Sequence, residues 1–355
     1  MGIFRKRGHE PVPVIATGDP LDMFWAWWTQ VGAAETAAAI QRGKPQPIVQ
    51  SLGPRVAAIS PELDWELTPG VGGAQHALVV TAAGRPQARA IARRWRRRAP
   101  AADAIWEYLD ARPPARDVGE TVIALEHGPR VAAAEVLVAA EPDNPRACLH
   151  LALHHPAFAA MTDRQRMTAV FLLLDAAIGE QAVETWIGRV DPLPNAPAGA
   201  VPLPSLPELV RRFVAGKTDA KGDGYWTVLE GRTPQGDPVL AMAELPLRPM
   251  RLPHLDAHVL VTLPFTDVDS SGLPGPGSRS NLRSLEEHVT GLLGESGRML
   301  AHETAGGVRR LHVYVDSWTP AAEQLRAACA GWDQGEVTVE VTPDPGWDRV
   351  RHLAG

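Results

Sequence analysis

Five prolines fall within the fourteen residues Asp191-Pro-Leu-Pro-Asn-Ala-Pro-Ala-Gly-Ala-Val-Pro-Leu-Pro204. Each fixes its own φ and lacks a backbone N–H, so no helix runs through this stretch and no central strand is expected in it. It reads as an extended linker holding its flanks apart, and it puts a domain boundary nearby. At 355 residues the chain also exceeds the roughly 250 to 300 at which single cores stop growing, so two or more packed modules are expected. The expected organisation is a flexible tail over 1–19, an N-terminal α+β module over 20–190, the linker with a short helix over 191–217, and a C-terminal module over 218–355.

Composition narrows the function classes. Hydrophobic residues at 45% and charged residues at 21% supply material for buried cores and exclude wholesale disorder. The 35 basic and 41 acidic residues leave a net charge of −6, which repels polyphosphate at long range and disfavours nucleic acid as a partner. Cys148 and Cys329 are the only cysteines, which gives no disulfide framework and no cysteine-rich zinc pattern, and fits a reducing cytoplasm. The basic start Arg5-Lys6-Arg7 runs into proline-rich polar sequence where a secretory signal needs an apolar stretch. Lys6 stands where a myristoylation motif takes Ser or Thr. The longest apolar run, Met167 to Ile178, is interrupted by Asp175 and falls short of the ~20 residues of a membrane span, so it predicts a buried helix.

Asp19-Pro20 predicts a capped helix start, and Leu21, Phe24, Trp25 and Trp28 then make one apolar stripe at i, i+3, i+4 and i+7. Further helices are expected at 33–42 and 47–59. Strands at 63–68 and 75–82, a helix at 86–98 and a strand at 104–110 give a ββαβ unit. The order recurs as strands 131–139 and 146–154, a helix at 163–178 and a strand at 182–190, and the two halves are expected to form one sheet. After a helix at 205–215, strands are expected at 225–230, 237–244 and 256–264, then a helix capped by Ser280. Strands 298–304 and 308–315, a helix at 320–330 and a strand at 336–341 complete the chain. From residue 256 onward this is βαββαβ, the ferredoxin-like order.

Residues 224–353 resemble a bacterial family, the domain of unknown function numbered 695. The matching pieces are Tyr225-Trp226, Gly272-Leu273-Pro274 before Leu285-Glu286-Glu287, Gly307-Val-Arg-Arg-Leu-His-Val-Tyr-Val-Asp316, and the closing Asp344-Pro345-Gly346-Trp347. Val350 departs from it, standing where an aromatic is expected. Residues 21–190, with Leu174-Asp175 and Gly179-Glu180, look like the extension that accompanies such domains. The family is similar to the B-type protein regulator of ribonuclease E, which implies a ferredoxin-like binder acting on another protein and implies no catalytic residue.

Motif by motif, chemistry is scarce. Gly216-Lys217-Thr218 has Arg211 where a phosphate loop needs glycine, and Gly70-Val-Gly72-Gly73 lacks the third glycine of a dinucleotide fingerprint and reads as a hairpin turn. His150, His154 and His155, and the pair His254 and His258, lie in segments that read as strand or strand entry, without ligand spacing, and read as ordinary sheet histidines. Cys329 belongs to a helix stripe with Ala322 and Leu325. Asp175 and Glu180 flank the end of an apolar helix, where burial could raise a pKa, or where they simply brace the turn. Asp344 reads as turn chemistry with Trp347 plugging a core edge. The run Arg93-Arg94-Trp95-Arg96-Arg97-Arg98 is the strongest charge feature. Helical geometry puts Ala88, Ile91, Ala92 and Trp95 on one face and Arg89, Arg93, Arg96 and Arg97 on a solvated other face.

The expectation is a cytoplasmic protein-binding regulatory or adaptor protein without catalysis, cofactor or metal, whose partner is another protein and not nucleic acid or membrane. The alternatives are an enzyme with a pocket between modules and an RNA-binding factor using the Arg93–Arg98 helix. Because a full set of strands and helices follows the linker, residues 218–355 expressed alone should unfold in one cooperative thermal transition. A soluble fragment without such a transition would contradict that boundary. Elemental analysis of the full chain should find no stoichiometric transition metal, against about one zinc per chain if the histidines ligate.

Overall fold

A computed structural model of the chain describes residues 4–5, 18–44, 46–125, 128–233 and 236–354, with backbone alone at 4–5. The chain forms a mixed α+β structure that divides into two compact units, Met1–Pro142 with Leu149–Arg211, and Asp143–Cys148 with Arg212–Gly355. Most of the expected tail at 1–19 lies outside the described residues, and its Phe4–Arg5 forms a short strand, β1.

In the first unit follow α1 (Pro20–Trp27), α2 (Ala33–Gln41), α3 (Gln46–Ile59), β2 (Asp64–Pro69), β3 (His76–Thr81), α4 (Pro86–Arg97) and β4 (Trp106–Leu109). Asp19 caps α1 by accepting the Leu21 N–H at 2.9 Å, with Pro20 in the first turn as expected. The predicted stripe is core: Leu21, Phe24, Trp25 and Trp28 are buried. Trp25 stacks on Trp95 at 4.8 Å and its indole N–H donates to the Trp95 carbonyl, while the Trp28 indole donates to the Tyr108 hydroxyl, both at 3.0 Å. The sheet order is β1-β2-β3-β4; β2 and β3 are antiparallel and β3 and β4 parallel across α4.

The second half of this unit holds β5 (Val122–Ala124), β6 (Arg130–Ala132), β7 (Leu137–Asp143), β8 (Cys148–His154), α5 (Asp163–Ile178), α6 (Glu180–Trp186), β9 (Ile187–Leu193), β10 (Val201–Pro202) and α7 (Leu206–Ala215). Three expectations are corrected here. The two halves make separate four-stranded sheets, the second ordered β10-β7-β8-β9. The strand expected at 182–190 begins as helix α6: Val183 and Trp186 are buried one helical turn apart, and Gly179 at φ +81° redirects the chain after α5. The proline-rich part of the linker expected at 191–217 enters two strands at its ends, with Pro192 in β9 opposite Leu153 and Pro202 in β10 opposite Leu137, and the short helix expected after it is α7. Both β9 and β10 are edge strands, where a residue without an N–H costs no ladder hydrogen bond. The division between units falls at Arg211 and Arg212, inside α7.

The second unit is one six-stranded sheet built from β11 (Tyr225–Arg232), β12 (Pro238–Leu245), β13 (Ala257–Pro264), β14 (Gly297–Ala305), β15 (Val308–Val315) and β16 (Thr338–Pro343), with helices α8 (Pro276–Leu293) and α9 (Ala321–Cys329). The order is β11-β12-β14-β15-β13-β16 and every pairing is antiparallel. Strand alternation places Val259, Val261, Leu263, Leu311 and Val313 in one core with Leu282, Val289 and Leu325 of the helices. The opposite face carries Ala241, Ala243 and Tyr314 under Leu255, Trp347, Val350 and Leu353. Helix α8 starts at Pro276, one turn before the Ser280 cap expected, because the Asp267 carboxylate accepts the Gly277 N–H at 2.9 Å and does the capping itself.

The resemblance motifs are structural pieces of this unit. Gly272, at φ +76°, has its carbonyl bonded by the Gly307 N–H at 3.0 Å, and a Cβ on it would meet the Gly306 nitrogen at 3.2 Å. Asp344 accepts the Tyr314 hydroxyl at 2.6 Å and the N–H groups of Asp348 and Arg349 at 3.0 and 2.9 Å. Trp347 takes a left-handed backbone, buries its ring and donates to the Leu255 carbonyl at 3.0 Å. Val350 is fully buried beside it. Truncating Trp347→Ala should therefore destabilise the second unit by about 3–5 kcal/mol in urea unfolding, and a loss under ~1 kcal/mol would show that the plug is dispensable.

Candidate functional site

The two helices of the second unit pack on the strands of the 257–343 region, and the sheet extends beyond them as β11 and β12. A groove of about 770 Å³ opens there, with Trp226, Glu244 and Met299 as floor and Glu286, Thr290 and Gly291 of α8 as wall. The charges around it are already satisfied internally. Arg298 pairs with Glu244 at 2.7 Å, Arg283 with Glu287 at 2.9 Å, and Glu286 with Arg309 at 2.6 Å. Apolar surface and backbone are therefore open to a ligand, with the exposed Arg283–Glu287 pair beside them. Strand β11 is the outer strand of the sheet, and Tyr225, Trp226 and Val228 are 50%, 43% and 56% exposed. An eight-residue edge strand with three exposed apolar side chains is a template for another strand. The resemblance pointed at Tyr225-Trp226; only the sheet order shows that β11 is an edge.

Beneath the opposite face runs a chain of imidazoles. His258 Nε2 lies 3.0 Å from His312 Nδ1, His312 Nε2 lies 3.2 Å from Glu303, and Glu303 also meets His352 at 2.6 Å. Burial, reinforced by His312, depresses His258 to about 4; burial and Arg309 do the same to His302. The neighbouring His312 and His352 hold Glu303 at about 2 against the opposing effect of burial. His254 lies outside this chain, its Nε2 facing the Glu295 carbonyl at 3.3 Å. The period-two alternation Leu311-His312-Val313-Tyr314-Val315 carried a signal for this face, but pairing with His258 and Glu303 depends on cross-strand register.

In the first unit, Asp175 and Glu180 do come together, around Arg112. The Arg112 side chain lies 3.2 Å from Glu66 and 3.5 Å from Asp175, and its backbone N–H donates to Glu180 at 2.9 Å. Thr81 also donates to Glu180. Burial and the adjacent Glu180 raise Asp175 to about 7, and Glu184 rises to about 7 chiefly by burial. The arginine helix corrects the solvated-face expectation in part: Arg97 is exposed and Arg96 half-buried, but Arg89 and Arg93 face carboxylates. Arg89 is fully buried, 2.8 Å from Glu184 and 3.5 Å from Asp110; Arg93 pairs with Asp110, and Arg94 is buried. Arg98 reaches Asp19 and Asp22. Charge spacing alone could not reveal that Asp110 and Glu184 wait on the far side of α4.

The remaining motifs are occupied by the protein itself. The Gly70–Gly73 turn joins β2 to β3, and its Val71 and Gly72 N–H groups both donate to the Glu107 carboxylate. Lys217 and Thr218 follow α7, where both N–H groups return to the Val214 carbonyl as a helix end. His150 Nδ1 accepts the Arg189 N–H at 3.0 Å, His154 faces the Leu193 carbonyl at 3.1 Å, and His155 accepts from Ala157 at 3.1 Å. Cys148 and Cys329 are free, buried thiols pushed up by that burial.

His258 and His302 give the second unit an acid-sensitive stability. Their folded pKa values lie below the ordinary 6.5, so their contribution is present above pH 6.5 and is lost as pH falls toward 4. Urea unfolding of the full chain should show the second unit weakening by up to about tenfold in its folding constant per histidine per pH unit across that window. His258→Gln with His302→Gln should flatten the dependence; an unchanged slope would show that other groups cause it. Comparison with protein-family models, curated proteins and solved structures finds no match to this chain.

Proposed function

We propose that the chain is a cytoplasmic protein-binding regulatory or adaptor protein that captures an extended segment of its partner along β11, with apolar side chains of that segment entering the groove beside α8. The observation that carries the reading is the edge strand itself, exposed and apolar at Tyr225, Trp226 and Val228, next to a groove whose charges are internally paired. Strand addition supplies affinity through backbone hydrogen bonds and specificity through alternate side chains.

The ferredoxin-like reading of residues 256–343 draws support from the order β16-β13-β15-β14, which is the 4-1-3-2 order of a βαββαβ unit. The resemblance to the family numbered 695 and its ribonuclease-regulator relative supports protein binding by such a unit. Two free cysteines fit the cytoplasm, and among the described residues no helix is long and apolar enough to cross a membrane. RNA binding draws less support, since Arg89, Arg93 and Arg98 are engaged by carboxylates and Trp95 is fully buried.

The test is selection of displayed peptides on the full chain, followed by affinity measurement on wild type and on Trp226→Ala with Val228→Lys. Lysine on an edge strand opposes pairing without burying a charge. Peptides with alternating apolar residues should emerge and lose at least about tenfold affinity for the variant, or roughly 1.4 kcal/mol. Peptides that bind both proteins equally would place the binding surface elsewhere.

A further inference from the structure

Among the described residues of the first unit, one cluster of buried side chains holds more carboxylates than guanidiniums, and it sits on a seam. After β4 the chain continues as a strap, residues 110–116, and the elbow between α5 and α6 docks on it. The Ala115 N–H donates to the Ala176 carbonyl at 2.8 Å and the Glu180 N–H to the Arg112 carbonyl at 3.0 Å. Gly179 fits the corner because a Cβ there would approach Pro114 at 3.0 Å and the Arg112 carbonyl at 3.2 Å. Two guanidiniums meet the elbow, Arg112 at 3.5 Å from Asp175 and Arg89 at 2.8 Å from Glu184.

Among the described residues, β2 contributes Glu66, α4 contributes Arg89 and Arg93, and the strap contributes Asp110 and Arg112. From the elbow come Asp175, Glu180 and Glu184. Five carboxylates thus face three guanidiniums, a net charge of −2 if all are ionised. The deficit falls on the elbow. Glu180 is 3% exposed, and its Oε1 has no hydrogen-bond donor while Oε2 accepts from Thr81 and the Arg112 N–H. Asp110 escapes it: burial opposes its ionisation, but Arg89 and Arg93 outweigh that and hold it below the usual carboxylate range.

We propose that this seam is a proton-operated latch, closed while Asp175 or Glu184 holds a proton and loosened once both are ionised. A proton on either removes one charge from the deficit. Two protons bring the cluster to neutrality with three carboxylates against three guanidiniums. Ionising both leaves Asp175, Glu180 and Glu184 as like charges in a desolvated corner, and the elbow is the element that can move away. The sign follows from linkage. Both carboxyls sit near 7 when folded, above their ordinary values of 3.8 and 4.5, so the latch is strongest below those values and weakens as pH rises through about 7. This inference is independent of the binding surface on the second unit.

Hydrogen exchange on the full chain tests it, at about pH 6 and about pH 8, with intrinsic exchange rates divided out. The opening constant of the α5 and α6 amides should rise on the order of tenfold per carboxylate, or about a hundredfold for the pair. Asp175→Asn with Glu184→Gln, which keeps the hydrogen-bonding shape and removes the titration, should abolish that rise. An opening constant that stays level in wild type, or a rise that persists in the variant, would overturn the latch. Carboxyl-carbon NMR of the wild type needs no variant: two carboxyl resonances should titrate near 7. Finding all of them below about 5.5 would overturn it as well.

Discussion

Arg89 has no exposure to solvent, and the first unit is arranged around that fact. A buried guanidinium is tolerable only with carboxylates and carbonyls at hand, and these come from distant parts of the sequence: Asp110 after β4 and Glu184 in α6. The same helix that presents Arg89 to the carboxylates presents Trp95 to Trp25 and Phe24. Nearly two turns of α4, from Arg89 to Trp95, therefore tie the aromatic core of the first half to the elbow of the second.

The second unit is governed by a mismatch in width. Two helices pack on one face of a sheet that extends beyond them as β11 and β12. The other face has its own cover, in which Trp347 and Val350 pack on Tyr314 and Asp344 receives the tyrosine hydroxyl. Burial with Asp344 alongside raises the Tyr314 phenol, while the tyrosine hydroxyl and two N–H groups outweigh burial to keep Asp344 ionised. That bond fixes the covering segment to the sheet and leaves the overhang as the surface with apolar side chains to spare.

Desolvation acts on both units with opposite consequences. Burying a carboxyl favours its protonated form and burying an imidazole favours its neutral form, so Asp175 rises toward neutrality while His258 falls away from it. Alkali loosens what carboxylates hold in the first unit, and acid loosens what histidines hold in the second.

Local pattern was enough to set the helix stripes and most strands. The spacing of Leu21, Phe24, Trp25 and Trp28 forced one buried face, the Asp19-Pro20 start fixed where it begins, and the 256–343 order of elements followed from alternation and turn residues. Those signals lie within one or two turns of chain, where side-chain periodicity decides the outcome. The prolines of 191–204 misled because edge position, which excuses a missing N–H, is a property of the assembled sheet. Asp175 and Glu180 could be singled out from the sequence, but their partners Arg112, Glu66 and Arg89 could not. Nor could the exposure of Val228, or the meeting of His258 with His312. Each depends on contacts between residues far apart in the chain, and burial, ion pairing and pKa are set by those contacts and not by neighbours in sequence.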